Sequence, residues 1–405
     1  MENKRTPIIR FHGFSGEWVQ NKLGEVVEIK DSARIPNTLW LSKGVPYLRS
    51  SDMVNNGVLG KLFISEETYQ SYKDKTGAPE KGDVLFTSGG KVGVTYHKID
   101  DNPVYVQGGS VLYAKTSTSK KLSGIYLNVF FSSPSMTKYM EGASTGLTIK
   151  HFTLKPAKNT PINLPSLKEQ TIIGEFFKNF DDRIALQQRE IELLEESKQG
   201  FLQKMFPKDG ERVPAVRFDG FRGEWDDIKA DSIFKSISDK NHTDLPVLSA
   251  SQKEGMVFRD DIGINIKYEA KSTKTYKRVQ PGQFVIHLRS FQGGFAYSNI
   301  EGITSPAYTI LDFQNKESQN FLFWKYVLTS KTFIKRLETV TYGIRDGKSI
   351  SFSDFSTLKF KIPDIQEQRK IGEFFKKIDD SIATHEKELE LLKETKKGFL
   401  QKMFV

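Results

Sequence analysis

The side chains best suited to chemistry in this 405-residue sequence lie in or beside Gly-bearing and polar stretches. In the first half these are Arg49, Ser50, Ser51, Ser88, Lys91, Tyr96, Lys150 and His151. In the second half they are Lys253, Arg289, Ser290, Gln292, Tyr308, Arg345, Lys348 and Ser349. Arg, Gln, Ser and Lys are the residues that reach base edges and phosphates. The densest stretches are Arg289-Ser-Phe-Gln-Gly-Gly294 and Arg345-Asp-Gly-Lys-Ser349, where glycine lets a polyanion approach the backbone closely. The chemistry on offer is binding.

Catalytic motifs break down on inspection. Gly343-Ile-Arg-Asp-Gly-Lys-Ser349 has three residues between its glycines where a phosphate-binding P-loop needs four. Asn102-Pro-Val-Tyr105 lacks the second proline of the Asn/Asp-Pro-Pro-aromatic loop used by amino-methyltransferases. Glu196-Ser-Lys198 and Glu394-Thr-Lys396 have acid-x-Lys spacing but fall in helical repeats, where they read as salt-bridging surface. There is no cysteine, so no disulfide, thiolate metal site or cysteine nucleophile is available. Six scattered histidines give no metal-ligand spacing, and no cofactor or metal is expected on this chain. No apolar run is long enough to span a membrane and no secretory signal opens the sequence, so a cytoplasmic location is expected.

The net charge of +10 is unevenly spread. Residues 1–165 carry 21 basic and 14 acidic side chains, and residues 208–363 carry 24 and 19. The two segments 166–207 and 364–405 carry 15 and 17. Excess positive charge on globular parts attracts a polyanion, nucleic acid first, through phosphate contacts and counterion release.

Two long segments position these parts, and they are copies. Leu164–Pro207 aligns with Ile362–Val405 at an offset of 198, with 26 of 44 positions identical. Both contain Ile-Gly-Glu-Phe-Phe-Lys (from Ile173 and Ile371) and Gly-Phe-Leu-Gln-Lys-Met-Phe (from Gly200 and Gly398). Each opens with Pro-Ser or Pro-Asp and a Glu three residues later, a capping box in prospect. Apolar residues then recur at three- and four-residue steps: Ile173, Phe177, Phe180, Ile184, Ile191, Leu194, Phe201, Met205, and likewise from Ile371 to Met403. That is a heptad seam. Its other reading is a pair of amphipathic helices each lying on its own domain. The seam is interrupted at Gln187 and Lys198, and at His385 and Lys396. An antiparallel pair would set Gln187 against Lys396 and Lys198 against His385. A parallel pair would bury Lys198 against Lys396, so antiparallel is expected.

The duplication reaches further. Pro7-Ile-Ile-Arg-Phe-His-Gly-Phe-Ser-Gly-Glu-Trp18 matches Pro214-Ala-Val-Arg-Phe-Asp-Gly-Phe-Arg-Gly-Glu-Trp225 at an offset of 207, so the bodies between differ in length. The fold class is therefore α+β: two mixed α/β globular domains separated by two long helices that form an antiparallel coiled coil, with an internal pseudo-two-fold repeat. Boundaries are expected at 1–163 (first domain), 164–206 (long helix), 207–361 (second domain) and 362–405 (long helix). Strands are expected at Val45–Arg49, Val84–Thr87, Val104–Tyr113, Phe284–Arg289 and Tyr308–Phe313, and helices at Ser123–Tyr139 and Gln319–Leu337. The bodies share a plan, with Gly-Gly turns at Gly89-Gly90 and Gly293-Gly294. The repeat also predicts that the chain ends lie within the reach of a short linker.

This order of body, helix, body, helix resembles the specificity subunit of type I restriction-modification systems. The resemblance rests on Leu164-Pro-Ser-Leu-Lys-Glu-Gln170, Ile362-Pro-Asp-Ile-Gln-Glu-Gln368, the duplicated heptad helices and the divergent bodies with Gly-Gly turns. It implies that the bodies are target-recognition domains, each reading half of a bipartite site in double-stranded DNA, with the helices setting the spacer. It also implies partners: two modification subunits that bind S-adenosylmethionine and methylate adenine, and restriction subunits that use ATP and magnesium. The chain itself would be non-catalytic. The competing readings are a coiled-coil scaffold that binds only proteins, and a stand-alone nuclease or methyltransferase.

Overall fold

The computed structural model describes residues 6–53, 60–146, 148, 150–251, 254–262, 270–286, 295–337 and 350–405. It divides into two units, residues 1–188 with 387–405, and residues 189–386.

In the first unit the body opens with β1 (Val19–Lys22), the single turn α1 (Leu23–Val26), β2 (Ile29–Asp31), β3 (Val45–Leu48) and β4 (Phe63–Ile64). It continues through α2 (Glu66–Thr76), β5 (Val84–Thr87), β6 (Thr95–His97), β7 (Tyr105–Val106) and β8 (Val111–Ala114). The helices α3 (Gly124–Phe130), α4 (Pro134–Ala143) and α5 (Leu154–Lys158), then β9 (Pro161–Leu164), lead into the long α6 (Leu167–Lys204). A four-stranded sheet runs β2-β8-β5-β6 and a three-stranded one β4-β3-β7, while β1 pairs antiparallel with β9. β5 and β8 are apolar on both faces because two cores use them. Val84, Phe86, Leu112 and Ala114 face a core shared with α3 and α6, and Leu85, Val111 and Tyr113 face a second one.

Two expected elements are split. Val104–Tyr113 becomes β7 and β8, because Gly108 packs against the backbone of Ser32, where a Cβ would lie 1.7 Å from the Ser32 oxygen. Ser123–Tyr139 becomes α3 and α4 at Ser133-Pro134. Proline is favoured at a first helical position, and the Ser133 hydroxyl accepts from Met136 N at 3.3 Å, restarting the helix.

The second unit repeats the order except that a strand stands where α2 does. β10 (Asp226–Lys229), α7 (Ala230–Ile233), β11 (Phe234–Ile237), β12 (Leu248–Ser251) and β13 (Gly255–Phe258) come first. They are followed by β14 (Lys277–Val279), β15 (Phe284–Ile286), β16 (Ala296–Tyr297), β17 (Gly302–Thr304) and β18 (Thr309–Phe313). Then come α8 (Phe321–Leu328), α9 (Lys331–Leu337), α10 (Phe352–Ser356), β19 (Lys359–Ile362) and the long α11 (Ile365–Met403). The sheet β11-β18-β15-β16 matches β2-β8-β5-β6, and β10 pairs with β19 as β1 does with β9. Of the expected strand Phe284–Arg289, the structure describes β15 to Ile286; the rest lies outside the described residues. Gln319–Leu337 splits at Ser330, whose hydroxyl accepts from Phe333 N at 3.1 Å.

The repeated sequence segments are the fasteners of body to helix. Arg10 Nε and Nη2 donate to both carboxylate oxygens of Glu169 at 2.7 and 2.8 Å, and Nη1 donates to Gly16 O. Arg217 does the same with Glu367, at 2.7 and 2.7 Å, and with Gly223 O. The expected capping boxes are thus only half formed. Ser166 and Asp364 accept the amides of Glu169 and Glu367, but the two Glu carboxylates turn to the arginines because a charge-assisted bidentate pair is the stronger bond. The following Gln170 and Gln368 accept from Ser123 N and Asn320 N and so tie α3 and α8 to the long helices. Ile9 N donates to Lys402 O at 3.0 Å, and its counterpart Val216 N to Lys204 O at 2.9 Å. The C-terminal segment therefore docks beside the N-terminal one.

The long helices run antiparallel in both units. In the first, Phe176 packs edge-on against Phe399 at 5.1 Å, Lys396 bonds Asp181 at 2.5 Å and Gln187 bonds Glu388 at 3.0 Å. In the second, Phe201 packs on Phe374 at 5.0 Å, Lys198 pairs with Asp379 at 2.6 Å and His385 with Glu190 at 3.3 Å. The register corrects the expected one. Gln187 meets Glu388 and not Lys396, and Lys198 meets Asp379 and not His385, a shift of about one heptad. Aromatic pairs fix the alignment, and each half-buried lysine reaches a carboxylate, which a polar-against-polar pairing would have denied it.

Candidate nucleic-acid interface

Three segments of the first body meet at one edge. The first is the β5–β6 hairpin loop. Thr87 Oγ1 donates to Lys91 O at 2.5 Å and accepts from Val94 N at 3.0 Å, which clamps the loop across its base. Gly90 and Gly93 take φ of +76° and +82°, the left-handed region that only glycine enters without strain. A Cβ on Gly93 would also strike Met140 at 2.6 Å. The second segment is held at its ends by paired backbone bonds between Thr145 and His151. It is joined to the hairpin by Phe152 N donating to Ser88 O at 2.7 Å and by the Gly89–His151 bridge. The third is a 3-10 turn over Ser50–Met53. Its Ser50 hydroxyl lies 3.9 Å from where a Gly90 Cβ would stand.

The turn is organised by Asp52. Its carboxylate accepts from Arg49 N at 2.9 Å, Arg49 Nε at 3.0 Å and Arg49 Nη2 at 3.1 Å. The hydrogen bonds to Asp52 raise the guanidinium pKa above its already high value, burial opposing, so the group is charged throughout.

Of the residues singled out in the first body, Arg49, Ser51, Lys91 and Lys150 come together on this edge, with Ser50 and His151. Ser51, Lys91, Lys150 and His151 are exposed and Arg49 is partly so. Ser88 is 3% exposed and supports the loop through its backbone. Tyr96 lies behind, its ring against the second core and its hydroxyl donating to Asp100 at 3.3 Å. Burial and the Asp100 charge both push that phenol pKa up.

In the second body, Lys253, Arg289, Ser290, Gln292, Arg345, Lys348 and Ser349 lie outside the described residues. Tyr308 is half-buried and its backbone oxygen accepts from Lys277 Nζ at 2.6 Å. Burial, then the neighbouring Lys240, lower the Lys277 pKa. Sequence reasoning missed Asp52, Thr87 and, in the second body, Arg259, whose Nε donates to Ser249 Oγ at 3.2 Å. Asp52 was signalled by its spacing of three from Arg49; Thr87 and Arg259 carried no signal, since their partners are set by hairpin geometry. Among the described residues no group of acids and histidines could hold a metal, and no helix is long and apolar enough to cross a membrane.

Comparison with known proteins adds the following. The family model described as type I restriction modification DNA specificity domain matches twice, at residues 15–196 and 224–394. The type I restriction enzyme MjaVIII specificity subunit of Methanocaldococcus jannaschii is 25% identical over 302 residues, 70% of this chain and 69% of that protein. In fold, the chain is similar to the crystal structure of a type I restriction-modification S subunit from M. genitalium. The TM-score is 0.63 at 17% identity, covering 99% of each chain. A second solved chain, from work on assembly and conformational transition of the type I R-M system, gives 0.52 at 16% identity over 95% of this chain and 96% of that one.

Proposed function

We propose, for a chain that belongs to the type I restriction modification DNA specificity family, that it recognises the DNA target for a type I restriction-modification complex and is not itself catalytic. In this reading residues 1–163 and 207–361 are target-recognition domains, and each reads one half of a bipartite site. The helices 164–206 and 362–405 set the gap and dock two modification subunits. Restriction subunits join the same complex. S-adenosylmethionine, ATP and magnesium then belong to the partners.

The observation that carries this is a repeated scaffold with unrepeated tips. Both units fasten body to helix through the same Arg–Glu pair, the same Gln and the same backbone bond. On the edge itself the residues diverge: Arg49 is matched by Ser249, and Lys91, which follows Gly89-Gly90, by Phe295 after Gly293-Gly294. Constant fasteners with variable tips are what two readers of different half-sites require.

The test is to purify the chain with its modification subunits and map methylated adenines. A two-part target with a fixed gap is expected, and replacing residues 23–160 with another body should change one part only. One heptad inserted after both Glu192 and Glu390 lengthens each helix by about 10 Å and should widen the gap by a few base pairs. No DNA binding at moderate salt, or a one-part target, would overturn the reading.

A further inference from the structure

We propose that Arg49, gripped by Asp52, reads a guanine in the half-site taken by the first body, a step that rests on the DNA-recognition reading above. A guanidinium has five N–H donors in a fixed plane. Asp52 takes the inner edge, Nε and one hydrogen of Nη2. The outer edge, formed by Nη1 and the second hydrogen of Nη2, has no partner among the described residues. That outer edge is the fork that matches two acceptors side by side, the O6 and N7 of guanine in the major groove.

Two other arginines show what a purely structural use looks like. Arg10 and Arg217 present the same inner edge to a buried carboxylate, but each also spends Nη1 on a carbonyl, of Gly16 and Gly223. Their side chains are 14% exposed, against 35% for Arg49. Arg49 is held as firmly on one side and left open on the other.

Charge points the same way. Asp52 is nearly buried and balances the guanidinium, which makes Arg49 a poor phosphate anchor and a well-oriented base reader. Lys91, Lys150 and His151 on the same edge are exposed and better placed for the backbone phosphates. The second body fills the equivalent corner differently. Leu48 and Leu248 occupy matching places, each carbonyl accepting from the strand pair that follows, Gln107 N and Thr304 Oγ1. The next residue is Arg49 in one body and Ser249 in the other, and the Ser249 hydroxyl accepts from Arg259 Nε at 3.2 Å. A guanidinium thus returns to the corner from another part of the chain. Asp52 is the positioning residue, Arg49 the reader.

The experiment uses the full complex with its modification subunits and duplexes in which every base pair of the target is varied singly. Arg49→Ala and Arg49→Lys should each lose about 5- to 150-fold discrimination at a single G:C pair of one half-site, with the other half-site unchanged. Arg49→Lys keeps a cation beside Asp52, so its loss reports the fork and not the fold. Asp52→Asn should reduce discrimination at that same pair without changing the salt dependence of binding. A uniform fall in affinity for all sequences with a shallower salt slope would make Arg49 a phosphate contact and overturn the proposal. Unchanged discrimination in Arg49→Lys would overturn it too. Should the unmutated complex prefer no two-part sequence, the DNA-recognition reading would fail first and this one with it.

Discussion

The two places where a long helix receives a lysine from its partner make an instructive pair. In the first unit Asp181 accepts from Lys396, and among the described residues no charged group of the body joins them. In the second, Asp379 takes Lys198 at 2.6 Å, Lys325 at 3.0 Å and the Tyr326 hydroxyl at 2.7 Å. Ser123 and Asn320 mark matching positions of α3 and α8, so Asn128 and Val129 stand where Lys325 and Tyr326 do. The first body therefore brings an uncharged amide and a valine to its helix here, with the Phe404 ring among Trp18, Tyr126, Phe130 and Phe177. The second keeps the equivalent ring, Phe206 on Trp225, Phe323 and Phe375, and adds a charged node. What the duplication preserves is the packing and the Arg–Glu fastener. What it lets drift is polar contact around them.

The comparison can be broken most severely at the fasteners. Glu169→Ala or Glu367→Ala leaves a largely buried arginine with a carbonyl as its one remaining partner among the described residues and should cost about 3–5 kcal/mol in denaturant unfolding. The two should cost nearly the same, because their geometries match; a difference larger than their mean would show the halves are not held alike.

Next come the paired glycines of the Ile-Gly-Glu-Phe-Phe-Lys motif. A Cβ on Gly372 would meet Asn320 Oδ1 at 2.7 Å, Leu322 Cβ at 2.7 Å and Phe323 N at 2.8 Å. On Gly174 it would meet Ile125 alone, Cγ2 at 2.5 Å with Cγ1 and the backbone carbon at 3.0 Å, so its closest backbone approach is the milder of the two. Gly372→Ala should destabilise by about 1–3 kcal/mol and Gly174→Ala by less. Thermal melts of both variants decide it.

The charged node should give a smaller, pH-dependent effect. Burial alone would raise the Asp379 pKa, but Lys198, Tyr326 and Lys325 hold it below the usual aspartate range. A depressed pKa contributes stability above the unfolded value, near 4, which fades as pH falls through the folded value. Asp379→Asn should cost about 2 kcal/mol at neutral pH, and the gap from the unmutated chain should close on acidification. Asp181→Asn, with one partner, should cost less than half as much. A gap that widens in acid would contradict the assignment.

The smallest effect is expected from closing the repeat on itself. Joining Val405 to the N-terminus and opening the chain at Asp209-Gly210 should change stability by about 1 kcal/mol or less and leave the target unchanged. Loss of folding would show that the 207–213 linker does more than join the two halves.

Much of this was legible because periodicity and repetition are properties of sequence. The two long helices, their antiparallel sense and the docking of the termini follow from the heptad seam, the burial cost of Lys198 against Lys396, and the 198-residue offset. Their register did not follow, since Phe176 on Phe399 outweighs the polar interruptions and nothing in the heptad pattern ranks the two. Arg10–Glu169 was missed although both residues recur at matching positions, because a helix-start Glu has a local use as a cap and a distant arginine is invisible to local rules. At the candidate site, glycines and exposed cations stood out from their types alone. The grip of Asp52 on Arg49 needed only a three-residue spacing, whereas the convergence of Arg259 on Ser249 depends on the register in which β12 and β13 pair.

The strand pairs at the base of each body have a consequence of their own. β1 with β9 and β10 with β19 each pair over four residues, and everything between them belongs to the body. Between Lys22 and Pro161 lie 138 residues, and between Lys229 and Lys359 lie 129, yet both loops close on the same kind of ladder. Lengthening a closed loop by so small a fraction adds well under about 0.6 kcal/mol of closure entropy. Each pair is therefore a socket whose tenant can be exchanged whole. In the proposed reading a lineage can acquire a new half-site by replacing one insert, provided the newcomer keeps the α3 or α8 contacts to the long helix.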